Sequence, residues 1–159
     1  MTLTIRAIEE KDKDQWLKLW AGYLEFYKST ILPEQTELTW KRLINNELKM
    51  FGFVAENEDG VIGFTHCLFR PSTWTETDYC YLEDLFVQPE YRGHGIGKGF
   101  MQTLAALCVE RGYERFQWWV LDWNKPSIDF YQALGAVPMD EWTVFRLSGD
   151  ALKKFASEG

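Results

Sequence analysis

Histidine and cysteine are scarce in this chain, and long apolar runs are missing. Two histidines, His66 and His94, and three cysteines, Cys67, Cys80 and Cys108, are all that its 159 residues hold. No C-x-x-C pair or His/Cys cluster occurs among them, so no metal site is expected. An odd, scattered set of cysteines excludes a disulfide framework, and buried, reduced thiols of a cytoplasmic protein are expected instead. No stretch approaches the roughly 18 uninterrupted apolar residues of a membrane span, so no membrane partner is expected. The opening Met-Thr-Leu-Thr-Ile-Arg lacks a signal-peptide pattern. A basic excess is also absent. Lys and Arg number 17 against 24 Asp and Glu, a net charge of −7, which argues against nucleic acid as a partner. The same balance suits a cationic substrate, since an acidic cleft concentrates amines.

What is abundant is aromatic surface: eight Trp, seven Tyr and eleven Phe, each able to bury a large area or to line a cleft. A chain of this length fits one domain, 1–159, and can bury most of its apolar surface in a single core. Alternation over residues 3–8 predicts a first strand. Asp12-Lys13-Asp14-Gln15 has the form of a capping box, and Trp16, Leu19, Trp20, Tyr23 and Tyr27 follow at helical spacing. Trp16, Leu19 and Trp20 are expected in the core, while the Glu25-Phe26-Tyr27 end is a candidate cleft wall. Pro33 interrupts that pattern. A second helix is expected over 36–48, with Leu43, Ile44 and Leu48 inward. Residues 51–56 and 61–70 flank Glu58-Asp59-Gly60 as a β-hairpin. A polar loop over 71–78, a strand over 79–87 and a helix over 97–111, closed by Gly112, come next. The remainder predicts a strand over 116–121, a short helix over 127–134, a last strand over 142–147 and a terminal helix over 150–155. This order is mixed α/β.

The strand over 79–87 runs through Pro89 into four glycines, Gly93, Gly95, Gly97 and Gly99, at the start of the next helix. Glycines let main-chain amides turn towards one ligand, and a helix N-terminus adds free N–H groups that suit a phosphate. Two familiar loops fail on spacing. A P-loop needs glycine where Arg92 stands and a hydroxyl where Gly99 stands. The Gly-x-Gly-x-x-Gly dinucleotide fingerprint, begun at Gly93, meets Lys98 in place of its third glycine.

What fits is Arg-x-x-Gly-x-Gly, as Arg92, Gly95 and Gly97. That pattern resembles the acyl-CoA pyrophosphate loop of the GNAT superfamily of N-acetyltransferases. It follows Leu82-Glu83-Asp84-Leu85-Phe86-Val87. It precedes Trp123-Asn124-Lys125-Pro126-Ser127 and the run from Asp129 to Ala136. All of these look like GNAT segments in the same order and spacing. The resemblance runs from about residue 51 to 147 and is nearest to diamine (spermidine/spermine) and thialysine acetyltransferases. It implies the GNAT fold, a central twisted mixed sheet flanked by helices, with acetyl-CoA as co-substrate, and a homodimer is expected. The resemblance gives the pyrophosphate to the amides of Gly93, His94, Gly95, Ile96, Gly97 and Lys98, with Arg92 or Lys98 adding charge. It lays the pantetheine arm along the backbone of Leu85, Phe86 and Val87, whose side chains are equally open to plain packing. Asn124, Lys125 and Ser127 match positions where relatives contact CoA; for Asn124 a helix cap is the competing role.

Acetyl transfer needs a neutral amine and a proton for the departing thiolate. Alkyl amines have a pKa of about 10.4, so a carboxylate that attracts the ammonium and takes its proton is wanted. Glu83 and Asp84 are adjacent on a strand and are expected on opposite faces; Glu83 matches the substrate-facing acid of the diamine enzymes. Tyr131 matches the tyrosine that GNAT enzymes place near the thioester sulfur. Phe26, Tyr27 and Glu83 are therefore the expected amine-binding residues, and Glu83 and Tyr131 the catalytic ones. Diamine enzymes carry tyrosine then glutamate at the end of the first helix, where this chain has Phe26-Tyr27. The expected activity is acetyl-CoA-dependent acetylation of a primary amine on a small molecule: a polyamine, thialysine or an amino-acid-like compound. Acetylation of protein lysines or histones, and non-catalytic acyl-CoA binding, are the alternatives.

Overall fold

The computed structural model describes residues 2–158. They divide into two compact units, the first running to Trp119 and the second starting at Val120.

The first unit is built on a five-stranded sheet in sequential order, comprising β1 (Thr4–Ala7), β2 (Met50–Asn57), β3 (Gly60–Arg70), β4 (Tyr79–Val87) and β5 (Phe116–Gln117). The first three pairings are antiparallel and β4 runs parallel to β5, so the sheet is mixed. Three helices belong to this unit: α1 (Lys13–Phe26), α2 (Pro33–Asn45) and α3 (Ile96–Arg111). Trp16, Leu19 and Trp20 of α1 and Trp40 and Leu43 of α2 pack on Val54, Val61, Phe64 and Phe86 of the sheet. Within that layer Trp16 and Trp20 stack at 5.5 Å, an arrangement worth about 0.5–1.5 kcal/mol beyond the area it buries. A second layer joins Ile96 and Phe100 of α3 to Ala55, Ile62 and Val87. Helices thus cover the sheet, as the apolar periodicity predicts.

Several boundaries differ from the sequence expectation. Asp12 does not cap α1. It is buried, receives two bonds from the Arg6 guanidinium at 2.8 and 2.9 Å, and accepts the Glu9 backbone N–H at 2.8 Å. Gln15 is likewise drawn away, its side-chain oxygen accepting the Val61 N–H at 2.6 Å. Pro33 itself begins α2, ahead of the start expected at Thr36, a position where its missing N–H costs nothing. That helix ends at Asn45 because Asn46 turns left-handed (φ 52°), its side chain donating to the carbonyls of Leu43 and Met50. Leu48, expected inward, is therefore exposed. The strand expected over 116–121 pairs for only two residues.

The second unit holds α4 (Lys125–Ala133) and α5 (Gly149–Ser157). The strand expected over 142–147 does not form; residues 142–148 have no regular structure and their large apolar side chains are exposed. Aromatic and β-branched residues give a segment strand propensity, but a strand also needs a neighbour to satisfy its backbone groups.

Candidate active site

The ladder between β3 and β4 is regular until it reaches two neighbouring pairs: Cys67 faces Leu82 and His66 faces Asp84. One step on β3 therefore matches two on β4, and Glu83 is the extra residue of a bulge. His66 and Cys67 point to opposite faces, so Leu82 and Asp84 must do so as well. Glu83, one residue after Leu82, falls on the same face as Asp84. The expectation that the two acids point apart is overturned: the bulge cancels the alternation of the strand.

Asp84 is the fixed member of this pair. Its carboxylate accepts the Tyr23 hydroxyl at 2.6 Å and lies 2.8 Å from His66 Nδ1. The Trp16 indole donates to His66 Nε2 at 3.0 Å. An indole N–H can only donate, so Nε2 is the acceptor and the ring proton sits on Nδ1, directed at Asp84. Rings of Trp16, Trp20 and Phe64 surround the buried imidazole. Burial, followed by the Asp84 charge, raises the Tyr23 phenol far above its ordinary value, so that side chain stays protonated as a donor. The first helix, the third strand and the fourth strand are tied together here.

Glu83 is not held in that way, and its side chain reaches solvent. Partial desolvation, then the neighbouring Asp84 charge, raises its carboxyl above the usual range; Tyr81, Arg70 and His66 pull it back. A raised carboxyl is a stronger base once ionised. On the same face, Phe26 and Tyr27 end α1 with their rings about half exposed, 5.0 Å apart edge to face, and Tyr27 lies 4.9 Å from Tyr23. Burial, then Asp84, lifts the Tyr27 phenol above its ordinary value. Phe26, Tyr27 and Glu83, the expected substrate residues, therefore all face solvent, and Tyr23, bonded to Asp84 and packed on Tyr27, joins them to the bulge.

Beyond the bulge, β4 continues to Val87. β5 pairs only with Cys80 and Tyr81, so among the described residues the β5-side edge of Leu85, Phe86 and Val87 carries no strand. The Phe86 and Val87 side chains are buried, and their main chain is what this edge offers. The chain then turns through Pro89–Tyr91 and enters α3 at Gly95. Gly93 (φ 83°) and Gly95 (φ 79°) are left-handed, which only glycine adopts cheaply. A Cβ built at 93, 95 or 97 meets nothing within 4 Å, leaving open space before the loop. Gly99 differs, because a Cβ there would strike the Ile5 side chain at 2.6 Å; its role is close packing. The Gly99 N–H bonds Gly95 O at 2.9 Å, so the amides of residues 95–98 are those that the helix leaves without an internal partner. Ile96 anchors the loop in the core, while His94 and Lys98 are exposed. Arg92 Nε donates to the Val87 carbonyl at 2.9 Å, pinning the loop to the strand end. The donor set and the open space suit a pyrophosphate.

In the second unit, the Asn124 side-chain oxygen accepts the Ser127 N–H at 3.4 Å. Of the two roles open to it, the cap is present. Lys125 pairs with Asp129 on the exposed side of α4. Tyr131 is half buried on the same helix, its ring 5.4 Å from Phe130.

In the sequence Tyr23 reads only as part of the aromatic stripe of α1 and His66 only as a scarce histidine, and nothing there marks Arg70 or Tyr81. Tyr23 and Asp84 are separated by 61 residues and His66 and Asp84 by 18, and no local pattern joins them. A histidine in the middle of an otherwise apolar strand was the one available signal.

A family model described as the acetyltransferase (GNAT) family matches residues 10–136. The thialysine N-epsilon-acetyltransferase of Sus scrofa is 40% identical over 101 residues, covering 62% of this chain and 59% of the relative. The thialysine N-epsilon-acetyltransferase of Caenorhabditis elegans is 34% identical over 84% of this chain and 83% of the relative. The D-amino-acid N-acetyltransferase of Saccharomyces cerevisiae is 32% identical, over 73% of each. Among solved structures, an integron cassette protein of V. cholerae superposes with a TM-score of 0.80 at 22% identity, over 99% of both chains. AAC(6')-Iy in complex with a bisubstrate analogue, CoA-S-monomethyl-acetylneamine, gives 0.78 at 17% identity, over 92% of this chain and 98% of that one. At such identities these two likenesses concern the fold alone.

Proposed function

The chain belongs to the acetyltransferase (GNAT) family, and from that premise we propose that it transfers the acetyl group of acetyl-CoA to a primary amine of a small molecule. The main support is the bulge on β4, which sets a solvent-facing carboxylate beside a fixed one, directly upstream of an open strand edge and a glycine loop. The names of the relatives, thialysine and D-amino-acid acetyltransferases, favour an amine of amino-acid or polyamine size. We take residues 1–159 together as one acetyltransferase domain.

In this reading the amides of Gly93, His94, Gly95, Ile96, Gly97 and Lys98 receive the pyrophosphate of acetyl-CoA, with charge from Lys98 and Arg92. The pantetheine amides add to the open edge of β4 at Leu85, Phe86 and Val87. Asn124, Lys125 and Ser127 contribute further CoA contacts, Asn124 through the turn that it caps. At pH 7 only about one alkyl amine in 2,500 is neutral. Glu83 attracts the ammonium and takes its proton, directly or through water; the neutral nitrogen then attacks the thioester carbonyl. Collapse of the adduct breaks the C–S bond; Tyr131 gives its proton to the departing thiolate, and the nitrogen sheds its second proton, directly or through water, to the phenolate as the neutral amide forms. Phe26 and Tyr27 flank the alkyl part of the amine.

Exposed Trp123, Val137, Trp142, Phe145 and Phe155 in the second unit support pairing with a second copy of the chain, since isolated monomers seldom expose so much apolar surface. Three free cysteines, all buried, fit a cytoplasmic setting. No helix among the described residues is long and apolar enough to cross a membrane, and no cluster there could hold a metal.

The test is a panel of amines with acetyl-CoA, read by free thiol: polyamines, thialysine, D- and L-amino acids and a histone-tail peptide. Turnover of the small amines above the peptide is expected. Preference for the peptide, or acetyl-CoA binding with no thiol release, refutes the reading.

A further inference from the structure

Arg70 ends β3 directly opposite Tyr79. Its guanidinium carbon lies 3.8 Å from the centre of the Tyr81 ring, two residues along β4 on the same face. The Trp119 ring meets Tyr81 edge-on at 5.8 Å and is 55% exposed, giving the patch an aromatic wall open to solvent. Glu83 stands two residues beyond Tyr81, about 7 Å along the strand, and ordinary alternation puts it on this face. Arg70 Nε is buried without a hydrogen-bond partner, and no side-chain hydrogen bond or ion pair of Arg70 is found among the described residues. An arginine is normally placed where its fork meets a carboxylate or phosphate. Here a cation and an anion share one face without closing on each other, and Arg70 retains an orphaned donor.

The geometry points to a carboxylate subsite: Arg70, stacked on Tyr81, binds the carboxylate of an amino-acid acceptor whose ammonium lies at Glu83. This rests on the acetyl-transfer reading and narrows its substrate class. A zwitterion matches both charges. A polyamine places a second cation against Arg70, where like charges repel and the buried Nε stays unpaired. Arg70 would act on specificity through binding, leaving the proton transfers to other groups.

Ornithine and putrescine carry the same terminal amine and differ by one carboxylate, as do lysine and cadaverine. Thiol release with each pair is compared in the wild type, Arg70→Gln and Arg70→Lys. The wild type is expected to favour the amino acid in kcat/KM by about 10- to 100-fold, the range of one charge-assisted contact. Arg70→Gln should reduce that preference to within about threefold, chiefly through KM, and leave the diamines as good or better. Arg70→Lys keeps the charge but loses the fork and should fall between. Equal use of both partners by the wild type overturns the subsite while acetyl transfer stands. So does an Arg70→Gln loss that falls equally on amino acid and diamine. If no amine releases thiol, acetyl transfer fails instead, and calorimetry of ornithine and putrescine with CoA present decides the subsite separately. Ornithine bound at least tenfold tighter than putrescine, with the difference gone in Arg70→Gln, supports it; equal binding overturns it.

Discussion

Gly95 and Gly97 look interchangeable in sequence, yet they sit in different backbone states, and that difference predicts opposite outcomes for the same substitution. Gly95 caps α3 at φ 79°, whereas Gly97 lies inside the helix without a positive φ. A methyl at either position meets no protein atom within 4 Å, so collision within the protein is not the source of any loss of stability. At Gly95 a side chain must bear the left-handed conformation, a cost of about 1–2 kcal/mol, or the loop must rotate away from it. For a chain of this length that lowers Tm by roughly 2–8 °C. Rotation would also misdirect the amides of residues 95–98. Losing one or two charge-assisted bonds of about 1.5–3 kcal/mol each weakens CoA at least about tenfold. Gly97→Ala should instead gain roughly 0.5 kcal/mol from the reduced freedom of the unfolded chain and keep CoA affinity within about threefold. Thermal unfolding and calorimetric titration with CoA measure both quantities on the same samples. A Gly95→Ala protein as stable as wild type and binding CoA normally would show that the loop amides are not the seat of the pyrophosphate.

Other substitutions probe the chemistry and its scaffold. Tyr131→Phe should lower kcat by about 100- to 10,000-fold while CoA affinity stays within a few-fold; wild-type turnover at every pH would place the proton donor elsewhere. Glu83→Gln should raise KM for the amine and flatten the alkaline rise of kcat/KM. Because the Glu83 carboxyl is raised in the fold by desolvation and Asp84, its ionisation costs stability as pH rises through that folded value, and nothing is lost below the unfolded value of about 4.3. Glu83→Gln should therefore increase Tm at pH 7 and not at pH 4, an outcome that differential scanning calorimetry can reverse. Asp12→Ala removes two bonds from the Arg6 guanidinium and leaves Glu56, at 2.7 Å, as its close carboxylate partner; it should cost about 1.5–3 kcal/mol, seen as a fall in the urea midpoint. Burial alone would raise the Asp12 carboxyl, but the Arg6 fork and the Glu9 amide hold it low. The penalty of Asp12→Asn should accordingly shrink as pH drops below about 4, the unfolded value; a penalty constant down to pH 2 would contradict the assignment.

Much of this protein was legible in its sequence because the signals were local. The amphipathic period of Trp16, Leu19 and Trp20, the hairpin around Glu58-Asp59-Gly60 and the strand–turn–glycine run from Tyr79 to Gly99 each depend on neighbours a few residues apart. Backbone geometry and hydrophobic period act at that range, and those elements stand where expected. The glycine loop likewise carried its chemistry in its spacing. What only the tertiary structure decided lies in contacts between distant segments. Asp12 left its cap for Arg6 because a buried fork outweighs one helix amide. Residues 142–147 carry aromatic and β-branched residues that favour a strand, but propensity without a paired neighbour leaves backbone groups to water. The bulge at Glu83 arises from the register between β3 and β4, which no stretch of β4 specifies alone, and it reverses which face the acids share. Sequence determined that a strand carrying two carboxylates leads into a phosphate-binding turn. The fold determined that His66 and Tyr23 fix one of those acids, that the other is left to solvent, and that Arg70 faces it across Tyr81, because long-range register and burial set where each charge is placed.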